Sequence, residues 1–213
     1  MKTKKQKDIF LDTEGDNWFL RNRQALEAND AKTDPLLNEI LKISPPHKNN
    51  KVKIIEVGCG NGKRLKELQT LGYEVSGIDP SKIAVEDALK KGVLARIGTA
   101  DELPFIDNSF DILVFGFCLY LCDREDLFKI AAEANRVLKS PGNLFILDLY
   151  SKNEIANDYH HLDEIKSYKM DYRKLFDWHP NYSLVKQVVG SHHGFQSTDD
   201  KNEWISISIL RKF

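Results

Sequence analysis

Cysteine is scarce in this chain of 213 residues. Cys59, Cys118 and Cys122 are an odd number and lack the spacing of a metal-binding motif. We therefore expect a reduced, cytoplasmic protein without a disulfide framework. Long apolar runs are also missing, because the longest, residues 112–122, is too short to cross a bilayer. The N-terminal residues lack the apolar core of a signal peptide, so we expect no membrane attachment.

An excess of charge of either sign is absent as well. Lys and Arg number 31 and Asp and Glu number 32, which gives a formal net charge of -1. Nothing in this balance indicates binding to nucleic acid or to an anionic membrane. The basic run formed by Lys2, Lys4, Lys5 and Lys7 is interpreted as a solvated tail.

What the sequence does contain is an alternation of short apolar runs with helical patterns. Strands are predicted at 52–57, 73–78, 93–97, 111–117 and 144–149, and helices between them at 62–71, 82–91 and 124–138. Such alternation predicts right-handed βαβ units and an open, doubly wound, Rossmann-like α/β sheet that is mostly parallel. Runs 183–189 and 204–210 have no convincing helix between them and predict an antiparallel C-terminal edge hairpin, for seven strands in all.

The residues before the sheet predict an N-terminal helical lid. Helical patterns at 17–28 and 35–43 are followed by the linker Ser44-Pro45-Pro46. We predict one structural domain overall. Its parts are the lid and linker at 1–50 and the sheet domain at 51–213, with an insert rich in His, Tyr and charged residues at about 151–182.

The segment IIEVGCGNGKRL, residues 54–65, is the first place to look for a ligand site. In doubly wound folds ligands bind at the carboxyl ends of the strands, and this segment leaves the first predicted strand. Gly58 and Gly60 allow a sharp turn and close approach of a ligand, and Gly62 allows the next helix to pack closely.

Asp79 lies at the end of the second predicted strand. It follows the glycine turn at roughly the sequence separation at which an acid accepts hydrogen bonds from ribose hydroxyls. The glycine spacing differs from the dinucleotide pattern G-x-G-x-x-G, since position 63 is Lys. Glu56 would repel a pyrophosphate but would accept from an ammonium group. The turn therefore favours an adenosine carrying an amino acid. A nicotinamide-dependent oxidoreductase is the alternative.

Four segments, in this order, resemble the motifs of the class I S-adenosylmethionine-dependent methyltransferases. They are IIEVGCGNG, GIDPS, GTADELPFIDNSFDILVFG and RVLKSPGNLFILD, and together they cover about residues 52–149. The resemblance implies an enzyme with S-adenosylmethionine as cofactor and S-adenosylhomocysteine as product. A non-catalytic subunit that binds the cofactor is a further alternative, because these motifs indicate binding and not turnover.

The same resemblance implies a set of cofactor contacts. They are Glu56, Gly58, Cys59, Gly60, Asn61, Gly62, Asp79, Pro80, Thr99, Ala100, Asp101 and Phe117. Glu56 and the glycine turn would line the methionine part, Asp79 would bind the ribose, and Phe117 would border the methionine pocket. Many relatives carry an acid at the position of Thr99, so the adenine amine contact is left open between Thr99, Asp101 and neither.

The acceptor is predicted to be a small molecule. Methyltransferases of nucleic-acid bases usually carry Asn/Asp-Pro-Pro-aromatic after the fourth strand, where this chain has Phe115-Gly116-Phe117-Cys118. The chain resembles bacterial methyltransferases that act on an oxygen or nitrogen of sugars or other metabolites, so a sugar or sugar nucleotide is one hypothesis. A protein or RNA substrate stays open, and the assembly is expected to be a monomer or homodimer.

Three residues of the predicted lid are candidates for substrate binding. Trp18 and Phe19 would shield the cofactor, and Arg21 would pair with the cofactor carboxylate or an acidic substrate. The alternative is that Trp18 and Phe19 pack the helix onto the sheet edge.

Candidates for catalysis are His160 and His161 of the insert, as bases near neutral pH, and Tyr120 after the fourth strand. Exposed or structural histidines are the alternative. A metal site formed by these histidines with His192 and His193 is disfavoured, because adjacent pairs chelate poorly. We therefore predict no metal.

Overall fold

A central sheet organises the structure, which is a computed structural model that describes residues 4–28, 31–47 and 51–213. The strands in chain order are β1 (Lys53–Val57), β2 (Glu74–Asp79), β3 (Leu94–Ile97), β4 (Phe110–Gly116), β5 (Leu138–Leu149), β6 (Ile155–Asp158), β7 (Lys166–Lys169), β8 (Tyr182–Ser191) and β9 (Trp204–Lys212). Seven strands form the sheet in the order β3-β2-β1-β4-β5-β9-β8, while β6 and β7 form a separate hairpin.

Strand direction agrees with the predicted topology. β1 to β5 run parallel, and β9 runs antiparallel to both β5 and β8. The central strand β4 is buried at six of its seven residues because helices cover both faces of the sheet. The doubly wound, mostly parallel sheet with an antiparallel edge hairpin is thus confirmed.

Helices cover the two faces unequally. They are α1 (Gln6–Ile9), α2 (Gly15–Ala28), α3 (Pro35–Ile43), α4 (Lys63–Thr70), α5 (Lys82–Lys90) and α6 (Leu127–Val137). A π-helical turn, Phe10–Glu14, joins α1 to α2, so residues 6–28 form one helix, which we call the lid helix. Apolar residues of α3, α4 and α5 share one core cluster, and those of α6 share the other. Among the described residues, no helix is long and apolar enough to cross a membrane.

The start of β5 differs from the prediction. The sequence predicts a helix to residue 138, a break at Ser140-Pro141-Gly142 and a strand from residue 144. Instead α6 ends at Val137 and β5 begins at once, running through that segment. Leu138 pairs with Phe110 of β4, and Gly142 pairs with Lys212 of β9. Pairing with β4 on one side and β9 on the other therefore overrides the local tendency of Ser-Pro-Gly to interrupt a strand.

The basic N-terminal run is not a solvated tail at Lys5 and Lys7, so that interpretation is wrong there. Lys5 Nζ lies 2.7 Å from Asp126 Oδ1, and Lys7 Nζ lies 2.5 Å from Asp101 Oδ2. The carboxylate of Asp123 accepts hydrogen bonds from the backbone N–H groups of residues 6 and 7, at 3.0 and 3.1 Å. This contact from another part of the fold caps the lid helix, which explains why the helix starts 11 residues before the predicted residue 17. Lys2 lies outside the described residues.

The insert packs against the lid helix. Tyr159 and Ile165, from the segment between β6 and β7, form an apolar cluster with Ile9 and Phe10. The Tyr159 hydroxyl donates to Glu14 Oε1 at 2.8 Å and accepts from the guanidinium of Arg21 at 3.0 Å. Glu14 is only 3% exposed, so this hydroxyl helps to satisfy a buried carboxylate. The insert therefore helps to hold the lid helix against the rest of the domain.

We predict that Tyr159→Phe loosens the lid helix. The variant leaves the buried Glu14 carboxylate with one hydrogen-bond donor fewer, which costs about 1–2 kcal/mol. Amide hydrogen exchange in residues 6–28 should therefore accelerate about 5- to 30-fold. Tyr150→Phe is the matched control, because both tyrosines are 9% exposed and the Tyr150 hydroxyl has no hydrogen-bond partner among the described residues. Equal exchange rates in the two variants would contradict the assignment.

Candidate active site

A cavity of about 800 Å³ opens at the carboxyl ends of the parallel strands. Its wall combines the glycine turn after β1, the end of β2, residues 98–101, the segment after β4, the lid helix and the loop after β8. The carboxyl ends of parallel strands meet at one edge of a sheet, so residues distant in sequence converge here. The lid helix covers this edge.

The glycine turn has the conformation that its sequence predicts. Gly58, Gly60 and Gly62 have φ values of +78°, +51° and +68°, in the left-handed region that favours glycine. A Cβ at Gly60 would meet no atom within 4 Å, so this residue faces open space in the cavity. A Cβ at Gly62 would lie 3.0 Å from the Cβ of Ala88, which agrees with the close helix packing predicted for it.

Asp79 ends β2 beside this turn. Its Oδ2 accepts from the backbone N–H of Gly60 at 2.7 Å, and its Oδ1 accepts from the backbone N–H of Ser81 at 2.9 Å. Each carboxylate oxygen has two lone pairs, so each can still accept one hydroxyl of a ribose diol. Burial raises the pKa of Asp79 to about 6.

Glu56 supplies an unpaired acceptor to the same wall. The carboxylate is 2% exposed; Oε1 accepts from the guanidinium of Arg64, whereas Oε2 has no hydrogen-bond partner among the described residues. Arg64 also donates through Nε to Asp34 Oδ2 at 2.7 Å. Burial raises the pKa of Glu56 to about 7.

Asn61 supplies an unpaired donor. Its side chain is 3% exposed, and Nδ2 has no hydrogen-bond partner among the described residues. Buried polar groups are nearly always paired, so an acceptor at Glu56 and a donor at Asn61 in one wall suit a ligand that carries both a donor and an acceptor. Amino and carboxylate groups on one ligand would satisfy both.

The predicted adenine edge is tied to the lid helix. Asp101 accepts from the Thr99 hydroxyl at 2.7 Å, from Lys7 at 2.5 Å and from Lys129 at 3.1 Å. Burial opposes ionisation, but these hydrogen bonds outweigh it and lower the pKa of Asp101 to about 2. Thr99, Ala100 and Asp101 all line the cavity. The two candidates for the adenine amine contact, Thr99 and Asp101, are therefore hydrogen-bonded to each other.

The predicted lid residues divide into two groups. Trp18 lines the cavity, as does Tyr120 from the segment after β4. Phe19 is 1% exposed and does not line the cavity. Arg21 pairs with Glu14 and Tyr159 and is not part of the cavity wall, so here it supports the lid helix.

The structure does not bring the insert histidines to the cavity. His160 and His161 are exposed between β6 and β7, and within the described chain no residue of 151–182 lines the cavity. No group of three or more His, Cys, Asp or Glu side chains in the described ranges could hold a metal ion.

Sequence reasoning missed several wall residues. Phe10 and Asn22 come from the lid helix, Arg64 from α4, and His192 and Phe195 from the loop after β8. The direction of β8 is the signal that could have found this loop. Because β5 and β8 both run antiparallel to β9, they end at the same edge of the sheet.

Comparisons with known proteins agree with this architecture. Residues 55–146 match a family described as a methyltransferase domain. A demethylmenaquinone methyltransferase of Thermotoga maritima is 34% identical over 158 residues, which are 71% of this chain and 65% of the relative. A ubiquinone/menaquinone biosynthesis C-methyltransferase of Desulfotalea psychrophila is 37% identical over 103 residues, which are 45% of this chain and 41% of the relative.

A solved structure has the same fold. The 1,6-didemethyltoxoflavin-N1-methyltransferase of Burkholderia thailandensis, with 1,6-didemethyltoxoflavin and S-adenosylhomocysteine bound, gives a TM-score of 0.72 at 14% identity. The match covers 96% of this chain and 88% of that one.

The doubly wound sheet, its glycine turn and the acid after β2 define a Rossmann-like domain, and their arrangement suits an adenosine-containing ligand. In its matched domain, its relatives and its fold, the chain is similar to the class I S-adenosylmethionine-dependent methyltransferases. The chain spans 65% and 41% of the two curated relatives, so it matches less than two thirds of the length of either.

Proposed function

We propose that the chain binds S-adenosylmethionine in this cavity and transfers the methyl group to a small molecule. The observation that carries the proposal is the pair of buried, unpaired polar atoms, Glu56 Oε2 and Asn61 Nδ2, beside the open face of Gly60. When bound, the sulfonium of the cofactor supplies an electrophilic methyl group. The contribution of the chain is largely to hold the acceptor in line with it.

The wall residues fit each part of the cofactor. Asp79 accepts the two ribose hydroxyls, and Glu56 Oε2 accepts from the ammonium group. Asn61 Nδ2 and the Arg64 guanidinium are the donors for the carboxylate, the role that the sequence predicted for Arg21. The oppositely charged ends of the amino acid thus have separate partners.

The acceptor is proposed to be planar and aromatic. Outside the cofactor contacts, the wall contains the aromatic side chains of Phe10, Trp18, Tyr120 and Phe195, and Phe117 at the border of the methionine pocket adds a further ring. The names of the relatives support a ring-shaped acceptor, since one acts on demethylmenaquinone and another binds 1,6-didemethyltoxoflavin. The methylated atom is proposed to be an oxygen or nitrogen, and the name of the C-methyltransferase relative adds carbon as a third candidate. A sugar acceptor has less support, because the polar insert that suggested it does not line the cavity.

Isothermal titration calorimetry tests the cofactor assignment. At pH 7.5 we expect S-adenosylmethionine and S-adenosylhomocysteine to bind with micromolar Kd values, and NAD and NADP to give no binding heat. Binding of a nicotinamide instead would overturn the proposal in favour of an oxidoreductase. Cofactor binding without turnover of any quinol, aromatic heterocycle or nucleotide sugar would favour a non-catalytic subunit.

The same titration should depend on pH. The pKa of Asp79 is raised to about 6 by burial, so Asp79 becomes protonated as the pH falls below that value and loses its strength as a ribose acceptor. Glu56, with a pKa of about 7, acts in the same direction on the ammonium contact. We therefore expect a constant Kd above about pH 8 and an affinity at least about tenfold weaker at pH 5. An affinity independent of pH from 5 to 8 would contradict these two contacts.

A further inference from the structure

His192 is a cavity residue to which the cofactor contacts give no role. It begins the loop after β8, and its backbone N–H donates to the carbonyl of Glu203 at 2.8 Å, which fixes the loop. Its ring lies against Phe117, with 5.5 Å between the ring centroids. Phe117 has a φ of +53°, a conformation that costs a non-glycine residue energy and is typical of functional sites. The imidazole and this strained aromatic residue thus form one corner of the wall.

The surroundings of His192 favour the neutral imidazole. Partial burial and the neighbouring His193 lower the pKa of His192 below its ordinary value, and Lys169 acts in the same direction. Glu203 opposes them, but the net direction is downward. The ring forms no hydrogen bond to the described residues, so a nitrogen lone pair is available at neutral pH.

Other titratable groups of the wall are less suited to accept a proton. Glu56, whose Oε2 has no partner among the described residues, and Asp79 are assigned to the cofactor. Of the other carboxylates, Asp34 pairs with Arg64, Asp101 and Asp126 pair with Lys7, and Asp123 accepts from backbone N–H groups. Burial raises the pKa of Tyr120 and of the three wall cysteines, so these groups stay protonated near neutral pH. His192 therefore stands out as the available base of the wall.

Resting on the proposed function, we propose that His192 is the base that accepts the proton of a phenolic or enolic O–H, or an acidic ring N–H, on a planar acceptor lying against Phe117. The O–H or N–H bond breaks, and the proton passes to the imidazole. The electron pair left on the acceptor atom forms the bond to the methyl carbon, while the pair of the carbon–sulfur bond stays on sulfur. The imidazolium then releases its proton to solvent, which it reaches because the partly buried His192 keeps part of its surface exposed.

This assignment narrows the acceptor class. A general base works best when its pKa lies near the operating pH and not far from that of the group it deprotonates. An imidazole therefore suits a phenol, enol or acidic heterocyclic N–H far better than a sugar alcohol. A neutral aliphatic amine needs no such base, because its lone pair is already free.

The first test needs no turnover. We would titrate 4-nitrocatechol, whose ionisation is visible by absorbance, into the complex of the protein with S-adenosylhomocysteine. In the parent the bound probe should ionise about one pH unit below the free probe, because the proton moves to His192. This shift should be lost in His192→Asn and kept in His193→Asn, a matched neighbour that does not line the cavity.

The second test measures methyl transfer to 2,3-dihydroxynaphthalene, a weaker acid. His192→Asn should lower the rate about 100-fold or more, whereas His193→Asn should stay within about threefold of the parent. The parent rate should fall as the pH drops through the pKa of His192, since protonation removes the lone pair. The rate of His192→Asn should lack this fall.

The outcomes separate the two proposals. If S-adenosylhomocysteine binds but the probe ionises alike in the parent and His192→Asn, His192 is not the base and the proposed function stands. If neither phenolic probe binds the complex, the acceptor class is wrong. If no variant or parent protein binds S-adenosylhomocysteine, the proposed function itself fails.

Discussion

Replacing Asp79 with alanine is expected to weaken the binding of S-adenosylmethionine by about 100-fold or more. The carboxylate is fixed by the N–H groups of Gly60 and Ser81, at 2.7 and 2.9 Å, with one lone pair on each oxygen left for a ribose hydroxyl. Hydrogen bonds to a charged group contribute about 1.5–3 kcal/mol each, so losing two costs about 3–6 kcal/mol. Titration calorimetry at pH 7.5 measures the loss directly.

Asp111→Ala is the matched control for this prediction. Asp111 lies near the amino end of β4, at the opposite edge of the same sheet, where it accepts from the N–H of Lys53 and pairs with Lys139, both at 2.8 Å. Its removal should lower stability but leave the Kd for the cofactor within about twofold of the parent, since it does not line the cavity. Equal losses of affinity in both variants would show general destabilisation and refute the role of Asp79.

The cofactor side of the site is predictable from sequence because it depends on local structure. Gly58 and Gly60 follow directly on β1, and Asp79 is the last residue of β2, so strand prediction alone places them at one edge of the sheet. The helices and strands that carry them begin and end within one or two residues of the predicted bounds. The β5 start escapes prediction because its partners, Phe110 and Lys212, lie far away in sequence.

The acceptor side depends on contacts between distant segments. Glu14 and Tyr159 are 145 residues apart, and nothing local in either segment indicates their hydrogen bond. Pairing of Lys7 with Asp101 likewise turns an apparent tail into part of the wall. The aromatic and His-rich insert suggested an acceptor site by composition alone. In the described part of the fold none of its residues lines the cavity and His160 and His161 are exposed, while Tyr159 and Ile165 stabilise the lid helix.

Asp148 shows how the cofactor and acceptor sides are held together. It lies near the end of β5, is 1% exposed, and accepts through Oδ2 from the backbone N–H groups of Cys118 and Leu119, at 3.1 and 2.8 Å. Its Oδ1 accepts from the N–H of Leu149 at 2.8 Å. The carboxylate thus fastens the segment after β4, which carries Phe117 and Tyr120, to the edge of the sheet.

We expect Asp148→Ala to lower the free energy of unfolding by about 3–5 kcal/mol, because three backbone N–H groups lose their acceptor in a buried site. Urea denaturation followed by circular dichroism measures the change. Asp148→Asn keeps one acceptor oxygen and should lose less than the alanine variant. Asp163→Ala, at an exposed position between β6 and β7, should stay within about 0.5 kcal/mol of the parent.

If Asp148→Ala were as stable as Asp163→Ala, the segment after β4 would be held by its apolar contacts, such as those of the fully buried Leu119, and not by the carboxylate. A large loss would instead mean that one buried acid sets the position of Phe117 and, through the ring contact, of His192. The partially destabilised Asp148→Asn variant would then separate stability from function. It should weaken binding of a phenolic acceptor more than binding of S-adenosylhomocysteine, because the hydrogen bonds of Asp79 to Gly60 and Ser81 do not involve Asp148.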